Sequence, residues 1–221
     1  TISVSNQPSQ LALNPANNML YVANSGNNSV SVINSTDNSV VDTVKVGKNP
    51  TVIAIHPANK KIFVANSGNN TISVIISTTN TVIDTINVGH KPIALTLNTP
   101  NNFLFVVNSG NNTISVINST DNSVIDTIQV GNSPLSSSIN PISNLLYVAN
   151  HDDNTISVIN YTHNSVDTIS VSFKPRALIL NPANNLLYVA NFQDDTIYVI
   201  NSTDNSVVDT VEVGKNPVAL S

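Results

Sequence analysis

The residues able to do chemistry are few, and they lie apart. Four histidines (His56, His90, His151 and His163) fall in separate stretches, and no two have the short spacing of a metal-ligand pair. There is no GxSxG nucleophile elbow, no phosphate-cradling glycine loop and no dinucleotide fingerprint. Cysteine is absent, which removes disulfides and thiolate ligands. These residues predict a chain with no catalytic residue, no metal cluster and no cofactor. Ca²⁺ at one acidic group is the exception to be weighed.

That group is the densest collection of charge. His151, Asp152 and Asp153 stand close in sequence, as do Phe192, Asp194 and Asp195, and the stretch between contains Phe173, Lys174 and Arg176. Arg176 is the only arginine. Aspartates offer the hard oxygen ligands that Ca²⁺ takes, and the mixed charges with two phenylalanines suit recognition of a partner. A second set of candidates is formed by the Asn-x-Ser/Thr sequons at Asn27, Asn34, Asn69, Asn111, Asn118, Asn160 and Asn201.

Composition bounds what else the chain does. Charged residues are 10% of the total, against about 25% in an average soluble domain. Net charge is −5, with eight Lys and Arg dispersed along the chain, so no footprint for nucleic acid is present. No apolar run is long enough for a membrane helix, so membrane insertion is not expected. The chain opens at Thr1 without an initiator Met, which fits a processed or excised segment. Low charge and many sequons predict an extracellular or cell-surface protein.

The elements that position these residues repeat. Residues 14–55 read NPANNMLYVANSGNNSVSVINSTDNSVVDTVKVGKNPTVIAI, and residues 56–97 and 98–139 follow in register at an offset of 42. A fourth copy, 140–180, is one residue short in its last strand, with NSVDT for NSVVDT, and a fifth is 181–221. Short Val-, Ile-, Leu- and Tyr-rich runs alternate with Asn-rich turns, which predicts four strands per copy and an all-β fold. In the second copy the strands are expected near 51–55, 61–66, 71–76 and 81–88. A four-stranded sheet buries both apolar faces only by stacking on its neighbours, as the blades of a propeller do. The parallel β-helix is the rival, but its coils are shorter and lack four separate turns.

The recurring YVAN (Tyr21–Asn24, Tyr147–Asn150, Tyr188–Asn191), followed by SGNNTISVIN, NSVIDTI and a Pro opening the next strand, resembles the YVTN-family β-propeller repeat. That family occurs in archaeal surface-layer proteins and bacterial secreted proteins. The resemblance implies a propeller domain over 1–221, with blades at about 8–49, 50–91, 92–133, 134–174 and 175–216. It leaves partial strands at 1–4 (TISV) and 217–221 (PVALS). The array reads as part of a six- or seven-bladed ring, with a closed five-bladed ring as the alternative. The resemblance also implies a non-catalytic structural or adhesive module that meets protein or glycan at the cell surface, and the unpaired edges of the terminal TISV and PVALS strands predict self-association. An enzyme or electron-transfer propeller, with cofactor-binding residues in a missing segment, is the competing reading. The aspartate repeated in each last strand (Asp42, Asp84, Asp126, Asp167, Asp209) reads as protection of an exposed sheet edge.

Overall fold

The structure is a computed structural model and describes residues 1–220. It contains twenty strands in five four-stranded antiparallel sheets, and each sheet is built from consecutive strands. The first sheet is β1 (Pro8–Asn14), β2 (Met19–Asn24), β3 (Ser29–Asn34) and β4 (Ser39–Lys45). The second is β5 (Pro50–His56), β6 (Lys61–Asn66), β7 (Thr71–Ile76) and β8 (Thr81–Asn87). The third is β9 (Pro92–Asn98), β10 (Phe103–Asn108), β11 (Thr113–Asn118) and β12 (Val124–Gln129). The fourth is β13 (Pro134–Asn140), β14 (Leu145–Asn150), β15 (Thr155–Asn160) and β16 (Ser165–Ser170). The fifth is β17 (Pro175–Asn181), β18 (Leu186–Asn191), β19 (Thr196–Asn201) and β20 (Ser206–Glu212). These are the blades of an incomplete β-propeller, and the second copy's strands fall where its sequence places them.

The chain divides into two compact units. One comprises Thr1–Asn111 with Ser115–Thr127, and the other comprises Asn112–Ile114 with the residues from Ile128 onward. In the first unit, Tyr21, Val30 and Val32 of one sheet pack on Ile53, Ile62 and Val64 of the next. Phe63, Ile72 and Val74 then pack on Leu104, Val106 and Ile117. In the second unit, Tyr147, Ile156 and Val158 pack on Leu178, Leu187 and Val189. The Tyr147 hydroxyl stays satisfied in this core by donating to the Ser202 carbonyl at 3.1 Å. Burying each such side chain contributes roughly 1.5–3 kcal/mol.

The asparagine excess has a backbone cause. Twenty-one non-glycine residues have positive φ, all between 51° and 66°; fifteen of them are Asn, and no glycine is among them. Asn tolerates the left-handed region better than other residues with a Cβ. Several of these side chains also lace neighbouring turns together. Asn28 Oδ1 accepts from Asn49 N, Asn70 Oδ1 from Lys91 N and Asn154 Oδ1 from Lys174 N, each at 2.9 Å.

Glycine is reserved for close approach. A Cβ on Gly47 would lie 2.6 Å from Asn66 Cγ, and one on Gly131 would lie 2.7 Å from Asn150 Cγ. Asn66 and Asn150 are fully buried, and their Nδ2 groups donate to Ser73 Oγ at 3.0 Å and Ser157 Oγ at 2.8 Å. The same serines accept from Gly47 N and Gly131 N, and Ser115 Oγ from Gly89 N and Asn108 Nδ2, so glycine, Asn and Ser form a polar joint in the second, third and fourth sheets.

The short fourth copy is also explained. In the first, second and fifth sheets the register slips in the last strand, leaving Val41, Ile83 and Val208 as extra residues. The adjacent aspartate satisfies the displaced N–H: Asp42 Oδ1 accepts from Thr43 N at 2.7 Å, and Asp84 Oδ1 from Thr85 N at 2.8 Å. The fourth sheet pairs Val158 with Asp167 and Ile159 with Val166 without a slip, so its missing residue is the bulge residue.

Thr1–Val4 and residues 217–220 are not strands, contrary to expectation. Extended segments without a hydrogen-bonded neighbour do not make a ladder. Ser221 lies outside the described residues.

Candidate functional site

The mixed-charge group assembles within the second unit, on the turns before β15 and β19 and the turn leading into β17. Lys174 Nζ donates to Asp152 Oδ1 at 2.7 Å, and this ion pair holds the Asp152 carboxyl below its ordinary pKa. The Arg176 guanidinium lies over the Phe192 ring, 5.2 Å from its centroid. The His151 ring tilts against the same phenyl group at 6.4 Å, with 56° between planes. His151 Nδ1 is 3.3 Å from the Pro175 carbonyl, which can only accept, so Nδ1 carries the proton in this contact. Phe173 is 57% exposed beside this group.

The remaining aspartates serve the backbone. Asp153 accepts from both Asn132 N and Asn132 Nδ2, at 2.6 and 2.8 Å. Asp194 Oδ2 accepts from Phe173 N at 3.4 Å, and Asp195 Oδ1 from Asn216 N at 2.7 Å. The four carboxylates are therefore divided among separate jobs and do not converge as a Ca²⁺ cage. Among the described residues no group of three or more His, Cys, Asp or Glu is placed to hold a metal ion.

The repeat shows how this corner arose. The second residue of each sheet's first strand is Ser9, Thr51, Ile93, Leu135 and Arg176 in turn. Ser9 Oγ donates to the next sheet's Pro50 carbonyl and Thr51 Oγ1 to that of Pro92, at 3.0 and 3.2 Å. Leu135 has no such donor, and His151 supplies the bond to Pro175 from a different element. A second departure was not read from the sequence. Ser172 stands where Gly47, Gly89 and Gly131 stand, and Tyr198 where Ser31, Ser73, Ser115 and Ser157 stand. Asn191 Nδ2 keeps the bond to Thr196 Oγ1, at 3.2 Å, that Asn66 and Asn150 make to Thr71 and Thr155, but has no serine there as a second acceptor. Aligning the copies column by column would have exposed both changes.

The sequons divide into two kinds. Asn27, Asn69 and Asn111 are exposed on turns. Asn34, Asn118, Asn160 and Asn201 end their strands half-buried, with Oδ1 accepting from the N–H two residues on. His56 is buried and not a surface histidine, because it closes β5 against Asn102: Nε2 lies 3.0 Å from Asn102 Oδ1, and Nδ1 accepts from Asn59 N at 3.4 Å.

One cavity, of about 630 Å³, lies on the fifth sheet and is lined chiefly by Ile179, Leu180, Tyr188, Ile197, Val211 and Leu220. A smaller one of about 240 Å³ is lined by Pro8, Ser9, Gln10, Leu11 and Val22. Neither lining contains a histidine, methionine or carboxylate, and Tyr188 is the one side chain in the larger lining of a type that can ligate a haem iron.

A family model described as "Lactonase, 7-bladed beta-propeller" matches residues 1–82. No curated protein matches the chain. Among solved structures, Kuenenia stuttgartiensis hydrazine synthase is similar, with a TM-score of 0.78 and 19% identity over 91% of this chain and 65% of that one. Dihydro-heme d1 dehydrogenase NirN in complex with DHE has a TM-score of 0.79 and 13% identity over 95% of this chain and 47% of that one. The chain thus spans less than two thirds of either structure, and the likeness is one of fold.

These findings correct two expectations. The lactonase match over residues 1–82 overturns the reading of the chain as non-enzymatic. The expectation of no cofactor is likewise overturned, since the fold is shared with a protein whose complex with DHE is known. Both expectations rested on an inventory of this chain's residues, and in a propeller a reactive group needs to come from only a few blades.

Proposed function

We propose that the chain supplies blades to an enzymatic or electron-transfer β-propeller, with the reacting groups or cofactor ligands contributed by segments outside the described residues. The observation that carries this is the lactonase-type propeller match at residues 1–82, and the two similar solved structures support it through their titles. The described blades suit a scaffold: their polar joints are buried and repeated, and among the described residues no group of three or more His, Cys, Asp or Glu is placed to hold a metal ion. The test is to purify the native protein, record its absorption spectrum and intact mass, and measure proton release from a panel of lactones. Featureless absorption, a mass equal to the bare polypeptide and no lactone hydrolysis would together sink the proposal.

The finer assignment to a YVTN-type, surface-layer-like repeat is supported by the recurring YVAN and by the turns that follow it. An extracellular location is supported by the exposed sequons at Asn27, Asn69 and Asn111. Glycopeptide mass spectrometry of native material tests it, and unmodified asparagine at all seven sequons would remove that support.

A further inference from the structure

The turn into β17 and the start of that strand carry a guanidinium whose environment calls for a ligand. Arg176 is exposed, and its one contact among the described residues is the face of Phe192. The other cation of this corner is already neutralised, because Lys174 is committed to Asp152 at 2.7 Å. Asp153, Asp194 and Asp195 are turned to backbone or amide donors and not to the guanidinium. A planar fork with five N–H donors, backed by an aromatic ring, matches a carboxylate carried on an apolar body. Phe192 is held in place by His151, whose ring packs on it while Nδ1 is anchored to Pro175 O. Phe173, 57% exposed on the same turn, supplies further apolar surface.

The position has its own history in the repeat. In the column where the first two sheets use Ser9 and Thr51 to tie one first strand to the next, the fourth sheet has Leu135 and the fifth has Arg176, and the tie to Pro175 comes from His151 in place of Leu135. The serine that opens the turn after the second strand (Ser25, Ser67, Ser109) is replaced by His151 and Phe192 in the fourth and fifth sheets. Three departures from the repeat, Arg176, His151 and Phe192, therefore meet at one ring.

We propose that Arg176, Phe192 and Phe173 form a binding subsite for a small molecule bearing a carboxylate on an aromatic or apolar group. The subsite is independent of the enzymatic reading above. Arg176 makes the charged contact, Phe192 and Phe173 form the apolar wall, and His151 positions Phe192. The surrounding aspartates oppose an anion, so binding is weak in the unmodified protein and strengthens when Asp194 is changed to Asn.

The probe is benzoate, titrated into ¹⁵N-labelled protein, with benzamide as its uncharged match. Saturable, millimolar-range shifts confined to residues around Phe173, Arg176 and Phe192 are expected with benzoate, and no saturation with benzamide. Arg176→Gln should weaken benzoate at least about tenfold, or about 1.4 kcal/mol. Asp194→Asn should tighten it. Equal binding of benzamide, undiminished binding to Arg176→Gln, or no saturable shift with benzoate would each overturn the assignment. Because Arg176 is exposed, the Arg176→Gln spectrum elsewhere should overlay that of the parent, and this confirms that the loss is local.

Discussion

Gly47 and Gly214 occupy the same column of the repeat, yet the structure assigns them opposite responses to a methyl group. At Gly47 a Cβ would stand 2.6 Å from Asn66 Cγ and Nδ2 and 2.7 Å from Asn69 Oδ1. Asn66 cannot step aside, because it is fully buried and its Nδ2 donates to Thr71 Oγ1 at 3.2 Å and Ser73 Oγ at 3.0 Å. At Gly214 nothing lies within 4 Å of the added carbon. Overpacking costs about 1–3 kcal/mol, and disturbing a buried amide's bonds adds about 1 kcal/mol or more. Against this, replacing glycine removes about 0.4–1 kcal/mol of unfolded-chain entropy where the backbone allows it, and neither glycine has positive φ. Gly47→Ala should therefore destabilise by roughly 2 kcal/mol, and Gly214→Ala should be neutral or slightly stabilising. For a chain of this size a 2 kcal/mol loss lowers Tm by about 4–8 °C, well within the reach of calorimetry or circular dichroism melting. If Gly47→Ala melts with the parent, or Gly214→Ala falls as far as Gly47→Ala, close approach is not what keeps glycine in this column.

Three further outcomes follow from the same reasoning. Lys61 is 9% exposed, and its Nζ donates to Ser119 O, Thr120 O and Asn122 Oδ1, each at 2.9 Å. Lys61→Met keeps the stem but strips those acceptors, so urea unfolding should show a loss of about 2–4 kcal/mol, and a loss under about 1 kcal/mol would refute the staple. Asp37, Asp121 and Asp204 each accept from the hydroxyl and N–H of the serine two places on, which holds their carboxyls below the ordinary 3.8. A depressed folded-state pKa contributes stability above 3.8 that disappears as pH falls through the folded value. The urea midpoint should thus hold steady from neutrality to about pH 5 and fall below about pH 4, and the triple Asp→Asn variant should show a shallower acid limb. Deleting Ile83 should convert the last strand of the second sheet to the unbulged register of the fourth at a cost of about 1 kcal/mol or less; a cost of several kcal/mol would mean the bulge is needed.

What the sequence revealed and what it hid divide along a physical line. Strand positions such as Lys61–Asn66 and Thr71–Ile76 were legible because short apolar, β-branched runs between turn formers report burial directly. The polar joint of Gly47, Asn66 and Ser73 was not, since its members stand 19 and 7 residues apart and only pairing of the strands brings them together. The burial of His56 was hidden for the same reason: its partner Asn102 lies 46 residues on, in the turn before β10. At the mixed-charge corner, composition drew attention to residues 151–153, 173–176 and 192–195. It could not tell which charges were spent, and the structure pairs Lys174 with Asp152 and commits Asp153, Asp194 and Asp195 to backbone or amide donors. A charge cluster becomes a site only through the group left over after internal pairing, and here that group is Arg176. The same logic explains why the chain's own inventory misjudged enzymatic character. Repetition spends polar residues on joints that recur from blade to blade, so functional groups show as exceptions to a column, and five blades record only the exceptions they themselves carry.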